Sequence, residues 1–168
     1  GTKVGDAGGT YTPTADITLY AQWTGFVVTY NANDGTVSPT SATYAGTPLT
    51  LPTPTRTDYT FNGWYTQASG GTRVGGANDK YTPTAAIKLF AQWTANTYTV
   101  AYNGNGSTGG STASSTHTYN TAKNLTANGF TRAYTVTFNH NYSGSTNVSK
   151  TATYTFAGWN TKADGTGT

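Results

Sequence analysis

His117 and His140 are the only histidines, and Ser114 and Ser115 stand just ahead of His117. A serine beside a histidine is the start of a nucleophile–base pair, which also needs an acid to orient the ring. The acids are Asp6, Asp16, Asp34, Asp58, Asp79 and Asp164, with no Glu, and none lies near His117 in sequence. A zinc site would need several converging ligands, and the chain has no Cys and no Met. Asn31-Ala32-Asn33-Asp34-Gly35 sets oxygen side chains at alternate positions, as calcium loops do. It holds one carboxylate, and the matching Asn103-Gly104-Asn105-Gly106 holds none, so both read as hairpin turns. A Lys–Asn isopeptide bond would need an acid to move its protons, and acids are sparse. Trp23, Trp64, Trp93 and Trp159 are the residues that would stack on a sugar if exposed. They fall on strand signatures, so core packing is expected for them. No catalytic residue, metal site or cofactor is expected.

Strands must position these side chains. Phe26-Val27-Val28-Thr29-Tyr30, Tyr98-Thr99-Val100-Ala101-Tyr102 and Tyr134-Thr135-Val136-Thr137-Phe138 each put aromatic, Val and aromatic on one face. That period of two predicts half-buried strands. Each runs into an Asn/Gly-rich turn. A second strand type, ITLYAQW at residues 17–23, recurs as IKLFAQW at 87–93. A third, YTFNGW at 59–64, recurs as YTFAGW at 154–159. The Gly before each Trp predicts a bulge or a close backbone approach. Leu51-Pro52-Thr53-Pro54-Thr55-Arg56 predicts an extended connector or edge, because Pro cannot sit in a central strand. Residues 47–51 and 122–125 have room for one helical turn at most.

Residues 1–24 and 71–94 are identical at 16 of 24 positions. Repetition at a fixed period predicts an array of similar modules. Aligning the strand signatures gives residues 1–24 as the last part of one module, 25–94 as a complete module, and 95–168 as a second module without its last strands. Tyr30 matches Tyr102, Tyr44 matches Tyr119, Arg56 matches Arg132, and Trp64 matches Trp159. The last offset is longer by about 19 residues, read as an inserted hairpin with a return strand at 151–156. Ile17, Leu19, Trp23, Trp64, Ile87, Leu89, Trp93 and Trp159 are the residues expected to build and join modules.

Thr, Gly, Ser and Asn dominate the polar residues, which favours strands over helices. Nine basic residues give a net charge of +3 but are scattered, and nucleic-acid binders gather theirs. No nucleic acid is expected as a partner. No apolar run approaches the ~20 residues of a membrane span. The absence of Cys suits a secreted protein. The chain opens without Met, so an internal fragment of a longer polypeptide is expected.

The order YNANDGTVSPTS, LPTPTRTDYTFNGWYTQASGGTRV, YTPTAAIKLFAQWT resembles the Listeria–Bacteroides repeat, a relative of the internalin B-repeat. The resemblance covers nearly the whole chain, and the FNGWY and LFAQW signatures together carry it. It implies tandem small β-grasp-like modules, mainly β with little or no helix, in an extracellular bacterial surface or secreted protein. It carries no catalytic residues to transfer. The function expected is a stalk or spacer, adhesin segment or fibre-forming unit. Its partners would be neighbouring modules of the same chain or of identical chains, joined in the second case by strand complementation. The alternative is a module that binds a cell-surface glycan or protein through the insertion in the second module.

Overall fold

The computed structural model describes residues 3–139, 144 and 146–167. His140 and most of the Asn-rich turn beside it lie outside them. The chain divides into two compact units, residues 1–55 with 62–92, and residues 56–61 with 93–168. The described residues form thirteen strands and no helix, the mainly β class that the Thr/Tyr-rich composition predicts.

The main sheet has the order β2-β1-β7-β4-β5. Its members are β1 (Phe26–Asn31), β2 (Ser41–Tyr44), β4 (Tyr59–Tyr65), β5 (Arg73–Gly75) and β7 (Ile87–Ala95). β1 lies antiparallel to β2 and parallel to β7, with Val28 opposite Ile87 and Tyr30 opposite Leu89. The short β3 (Leu49–Thr50) and β6 (Lys80–Tyr81) pair separately. Val28, Tyr30, Ala32, Leu51, Trp64, Leu89 and Ala91 are the buried apolar residues, and all belong to the first unit. Period-two alternation in β1 and β7 sends these side chains to one face. Phe26, expected on that face, stands at its exposed margin.

Trp64 is fully buried, and its indole N–H donates to the Pro52 carbonyl at 2.9 Å. The Pro-rich segment is thus the extended connector expected, and Thr55 bridges to Thr36 within it. Gly63 holds φ at +139°, and the β4–β5 register shifts between Trp64 and Tyr65. A Cβ at Gly63 would meet Arg73 Nε at 2.7 Å and the Gly75 carbonyl at 3.0 Å. Both sequence readings of that glycine, bulge and close approach, hold together.

In the second unit β8 (Thr97–Val100) pairs antiparallel with β10 (Ser115–Thr118), and β9 (Gly109–Gly110) with β11 (Phe130–Thr131). β12 (Ala133–Phe138) and β13 (Val148–Thr153) form the inserted hairpin. The return strand is therefore Val148–Thr153 and not 151–156. Its base is closed by the Tyr154 N–H to the Arg132 carbonyl at 2.8 Å, which releases residues 154–156 from the ladder. Register places His117 opposite Tyr98, as Tyr44 is opposite Phe26. His117 and not Tyr119 is thus the positional counterpart of Tyr44.

Three further expectations change. Residues 17–23 carry the pattern of β7 yet are not a strand, and residues 154–159 carry the pattern of β4 yet are not one either. Alternating side chains suit a strand, but a ladder needs a neighbouring backbone to take its hydrogen bonds. β7 has β1 and β4 beside it, and residues 17–23 lack a neighbouring strand among the described residues. Residues 47–51 hold the short strand β3 instead of a helical turn.

Candidate functional site: an open groove in the second unit

The two copies of the scaffold build the same local framework. Each Asn turn is closed by a side-chain oxygen, Asn31 Oδ1 on the Asn33 N–H and Asn103 Oδ1 on the Asn105 N–H, both at 2.8 Å. Each Trp donates to the carbonyl that follows a Leu, Trp64 to Pro52 at 2.9 Å and Trp159 to Thr126 at 3.2 Å. Each Trp tilts against a Tyr of the first strand signature, with centroids 5.3 Å apart for Tyr30–Trp64 and 4.6 Å for Tyr102–Trp159. Each Arg sits over a Tyr ring, Arg56 over Tyr59 at 3.9 Å and Arg132 over Tyr154 at 5.0 Å. Positive φ recurs at Gly63 and Gly158, +139° and +146°.

What covers the frameworks differs. Leu51 is fully buried, whereas its counterpart Leu125 is 51% exposed. Trp159 is half-buried, and a Cβ at Gly158 would meet nothing within 4 Å. Val100, Tyr102, Leu125, Phe130, Phe156 and Trp159 line a groove of about 1110 Å³. In the first unit Val28, Tyr30, Leu51 and Trp64, the counterparts of four of these residues, are all buried. Phe130 and Phe156 pack against Trp159, with centroids at 6.2 and 4.9 Å.

The sequence-selected residues separate into three groups. Trp64 and Leu89 are buried, and Ile87 and Trp93 are half-buried in β7. Trp93 packs on Phe61 at 5.4 Å. Trp159 stands in the groove. Ile17, Leu19 and Trp23 are exposed, Trp23 to 90%. Sequence reasoning did not single out Tyr102, Asn105, Phe130 or Phe156. Tyr102, Asn105 and Phe156 were legible as the counterparts of Tyr30, Asn33 and Phe61. Phe130 has no such counterpart, because LTANGFTR is longer than LPTPTR.

The polar groups have ordinary structural partners. Ser115 Oγ lies 2.8 Å from His117 Nε2 and 3.0 Å from Tyr102 Oη, and Tyr102 Oη accepts from the Thr126 N–H at 2.8 Å. Partial desolvation by itself would raise the Tyr102 pKa, but the bonds with Ser115 and Thr126 outweigh it and lower it. Burial raises the pKa of Tyr30, with a contribution from Tyr81. Tyr98 donates to Asp58, which raises its pKa by stabilising the neutral phenol. Lys80 Nζ donates to Thr50 Oγ1, Lys123 Nζ to the Thr116 carbonyl, and Lys88 stands over the Phe90 ring. None of these contacts is with an amide side chain. Among the described residues no three His, Cys, Asp or Glu side chains gather into a metal-binding group. Nor is any helix long and apolar enough to cross a membrane.

Internalin H of Listeria monocytogenes is 40% identical over 86 residues, which is 50% of this chain and 15% of internalin H. A protein of Evansella cellulosilytica, provisionally named as a membrane protein, is 28% identical over 161 residues, 94% of this chain and 21% of its own length. The chain thus spans about a fifth or less of either relative. No solved structure matches it. The family model that matches residues 26–92 is the Listeria-Bacteroides repeat domain. By that match, and by the FNGWY and LFAQW signatures set on β4 and β7, residues 26–92 are a repeat of the Listeria–Bacteroides kind.

Proposed function

We propose that the chain is a non-catalytic structural module of an extracellular bacterial surface protein, serving as a stalk or spacer, or as a unit from which longer fibres are built. The observation that carries this reading is the framework built twice, with the same Trp-to-carbonyl bond, Asn turn and Arg–Tyr contact in each copy. Such a unit suits an array in which each module contacts its neighbours and the number of modules sets length. The parallel pairing of β1 with β7 at the centre of the five-stranded sheet supports the β-grasp-like reading of each module. The module boundaries 1–24, 25–94 and 95–168 belong to the same reading. Immunogold labelling of the producing cell with antibodies to residues 26–92 tests it. Label on the outer surface or on shed fibres is expected; label confined to the cytoplasm would overturn it.

A second reading, adhesion to a glycan or a protein, is favoured by the inserted hairpin. Its register sets Tyr134, Val136 and Phe138 on one face, opposite Ala152, Lys150 and Val148, and the three aromatic and Val side chains are exposed. Replacing residues 133–153 by the Thr-Asp pair found between Arg56 and Tyr59 removes this face. Loss of signal on a glycan array or in a pull-down would establish adhesion, and no signal from the intact chain would leave the spacer reading alone.

A further inference from the structure

We propose that the apolar face of the inserted hairpin binds a glycan whose sugar rings carry carboxylate groups, with rings stacked on Tyr134 and Phe138 and a carboxylate paired with Lys150 between them. The proposal rests on the adhesion reading and names its ligand.

The hairpin has two faces of opposite character. Cross-strand register sets Tyr134 beside Ala152, Val136 beside Lys150 and Phe138 beside Val148 on one face. Thr135 with Thr151 and Thr137 with Ser149 make the other. Their hydroxyl oxygens stand 3.5 and 3.0 Å apart, so that face consists of hydroxyl pairs suited to water. On the first face Tyr134, Val136, Phe138 and Val148 are all exposed. A lone two-stranded hairpin is marginal in water, and these four side chains leave apolar area to be covered. Both strands and the bond that closes them, from the Tyr154 N–H to the Arg132 carbonyl, lie within residues 132–154. The face is complete in itself and needs no strand from elsewhere.

Charge selects the kind of partner. No Asp or Glu occurs between Asp79 and Asp164, while Lys80, Lys88, Lys123, Arg132, Lys150 and Lys162 all fall there. Lys80 and Lys123 are engaged with Thr50 and the Thr116 carbonyl, Lys88 with the Phe90 ring and Arg132 with the Tyr154 ring. Lys150 is exposed on the aromatic face, in a stretch that holds no acid to answer it.

Spacing narrows the ligand further. Alternate residues of a strand lie about 7 Å apart. Lys150, opposite Val136, therefore stands one such step from the Tyr134 pair and one from the Phe138 pair. Aromatic, cation, aromatic at that spacing suits a polymer that carries ring and charge in the same unit. A uronic acid does so: its C–H face covers an aromatic ring while its carboxylate reaches the ammonium. A phosphate-linked polyol carries charge without a ring. Tyr154 braces Tyr134 with centroids 5.0 Å apart, and Arg132 over Tyr154 adds a second cation at the base of the hairpin.

Other occupants fit less well. A stable protein interface takes about 20–30 residues a side, and this face offers six. A second copy laid face to face about a two-fold would bring Lys150 towards Lys150, a like-charge pairing that costs stability.

Binding of the full chain to immobilised polygalacturonate, followed by surface plasmon resonance, tests the proposal. Binding is expected to polygalacturonate and not to uncharged dextran, and it should weaken with added salt. Lys150→Gln and Phe138→Ala, both at exposed positions, should each lower affinity ~10-fold, the scale of one lost charge-assisted bond or aromatic anchor. Thr151→Ala on the hydroxyl face and Lys88→Gln in β7 should leave it unchanged. No binding to polygalacturonate would overturn the proposal. So would an equal loss from Lys88→Gln, which would reduce the attraction to net charge, or an equal loss from Thr151→Ala, which would assign it to the wrong face. Capture by inorganic polyphosphate or by phosphatidylglycerol vesicles in place of polygalacturonate would overturn it as well. Binding to dextran alone, lost when residues 133–153 are replaced, would overturn the carboxylate ligand and leave adhesion standing.

Discussion

Trp64 and Trp159 occupy the same place in two copies of one scaffold, yet one is sealed and the other stands in a groove. Both make the indole-to-carbonyl bond and both tilt on a tyrosine. The difference lies in what sequence-distant strands add. In the first copy β5 and β7 flank β4 and the ladder is complete. In the second, residues 154–159 keep the shape without the ladder. The lesson is that turn and kink geometry is held locally, by Asn side chains, a Trp bond and glycine conformation, while strand character and burial depend on a neighbour.

That comparison can be broken most strongly at the tryptophans. Trp64→Ala should cost ~3–5 kcal/mol, the usual range for emptying a fully buried aromatic site. Trp159→Ala should cost clearly less. Urea unfolding of each variant, followed by tyrosine and tryptophan fluorescence, reads the difference; equal losses would show that the groove is as well packed as the core.

The glycines come next. At Gly63 a Cβ would meet Arg73 and Gly75 while also holding a positive φ, so Gly63→Ala should cost ~1–3 kcal/mol of backbone strain with a steric contribution added. Gly158→Ala has the same φ but open space, so only the conformational part remains. Thermal melts showing the larger drop at Gly158 would reverse the assignment of which bulge is paired.

The smallest effect is at the paired tyrosines. The Tyr30 hydroxyl is buried without a hydrogen-bond partner among the described residues, and burial raises its pKa. Tyr30→Phe removes an unsatisfied group and should be neutral or stabilising by ~1 kcal/mol. Tyr102→Phe should lower stability instead, because Tyr102 Oη bonds with Ser115 and the Thr126 N–H. Opposite signs in the two melting shifts are the expected result.

Much of this was legible in the sequence because it is local. The aromatic-Val-aromatic signatures became β1, β8 and β12, although β8 stops at Val100 and Tyr134, Val136 and Phe138 of β12 are exposed and not half-buried, and the first two Asn runs became turns with positive φ at Asn33, Asp34 and Asn105. The glycine before Trp64 marked the bulge. Residues 17–23 and 154–159 were misread as strands because period-two alternation records which side chains suit a sheet, not whether a partner lies beside it. The groove was half legible. Trp159 was identified from its signature, but Phe130 enters through a two-residue lengthening that no periodicity marks. The hairpin's return strand was set too late because the closing bond at Tyr154 is a tertiary choice.

That closing bond has a practical consequence. Tyr59 and Tyr154 each return an N–H to an arginine carbonyl, Arg56 or Arg132, at 3.2 and 2.8 Å. Two residues lie between in one copy and a whole hairpin in the other, with an arginine–tyrosine clasp at both. The site behaves as a socket: a pair of residues or a whole hairpin can stand between the arginine and the tyrosine while the same N–H-to-carbonyl bond closes it. For anyone wishing to display a foreign peptide along a chain of such bodies, the place to cut is between Arg56 and Tyr59.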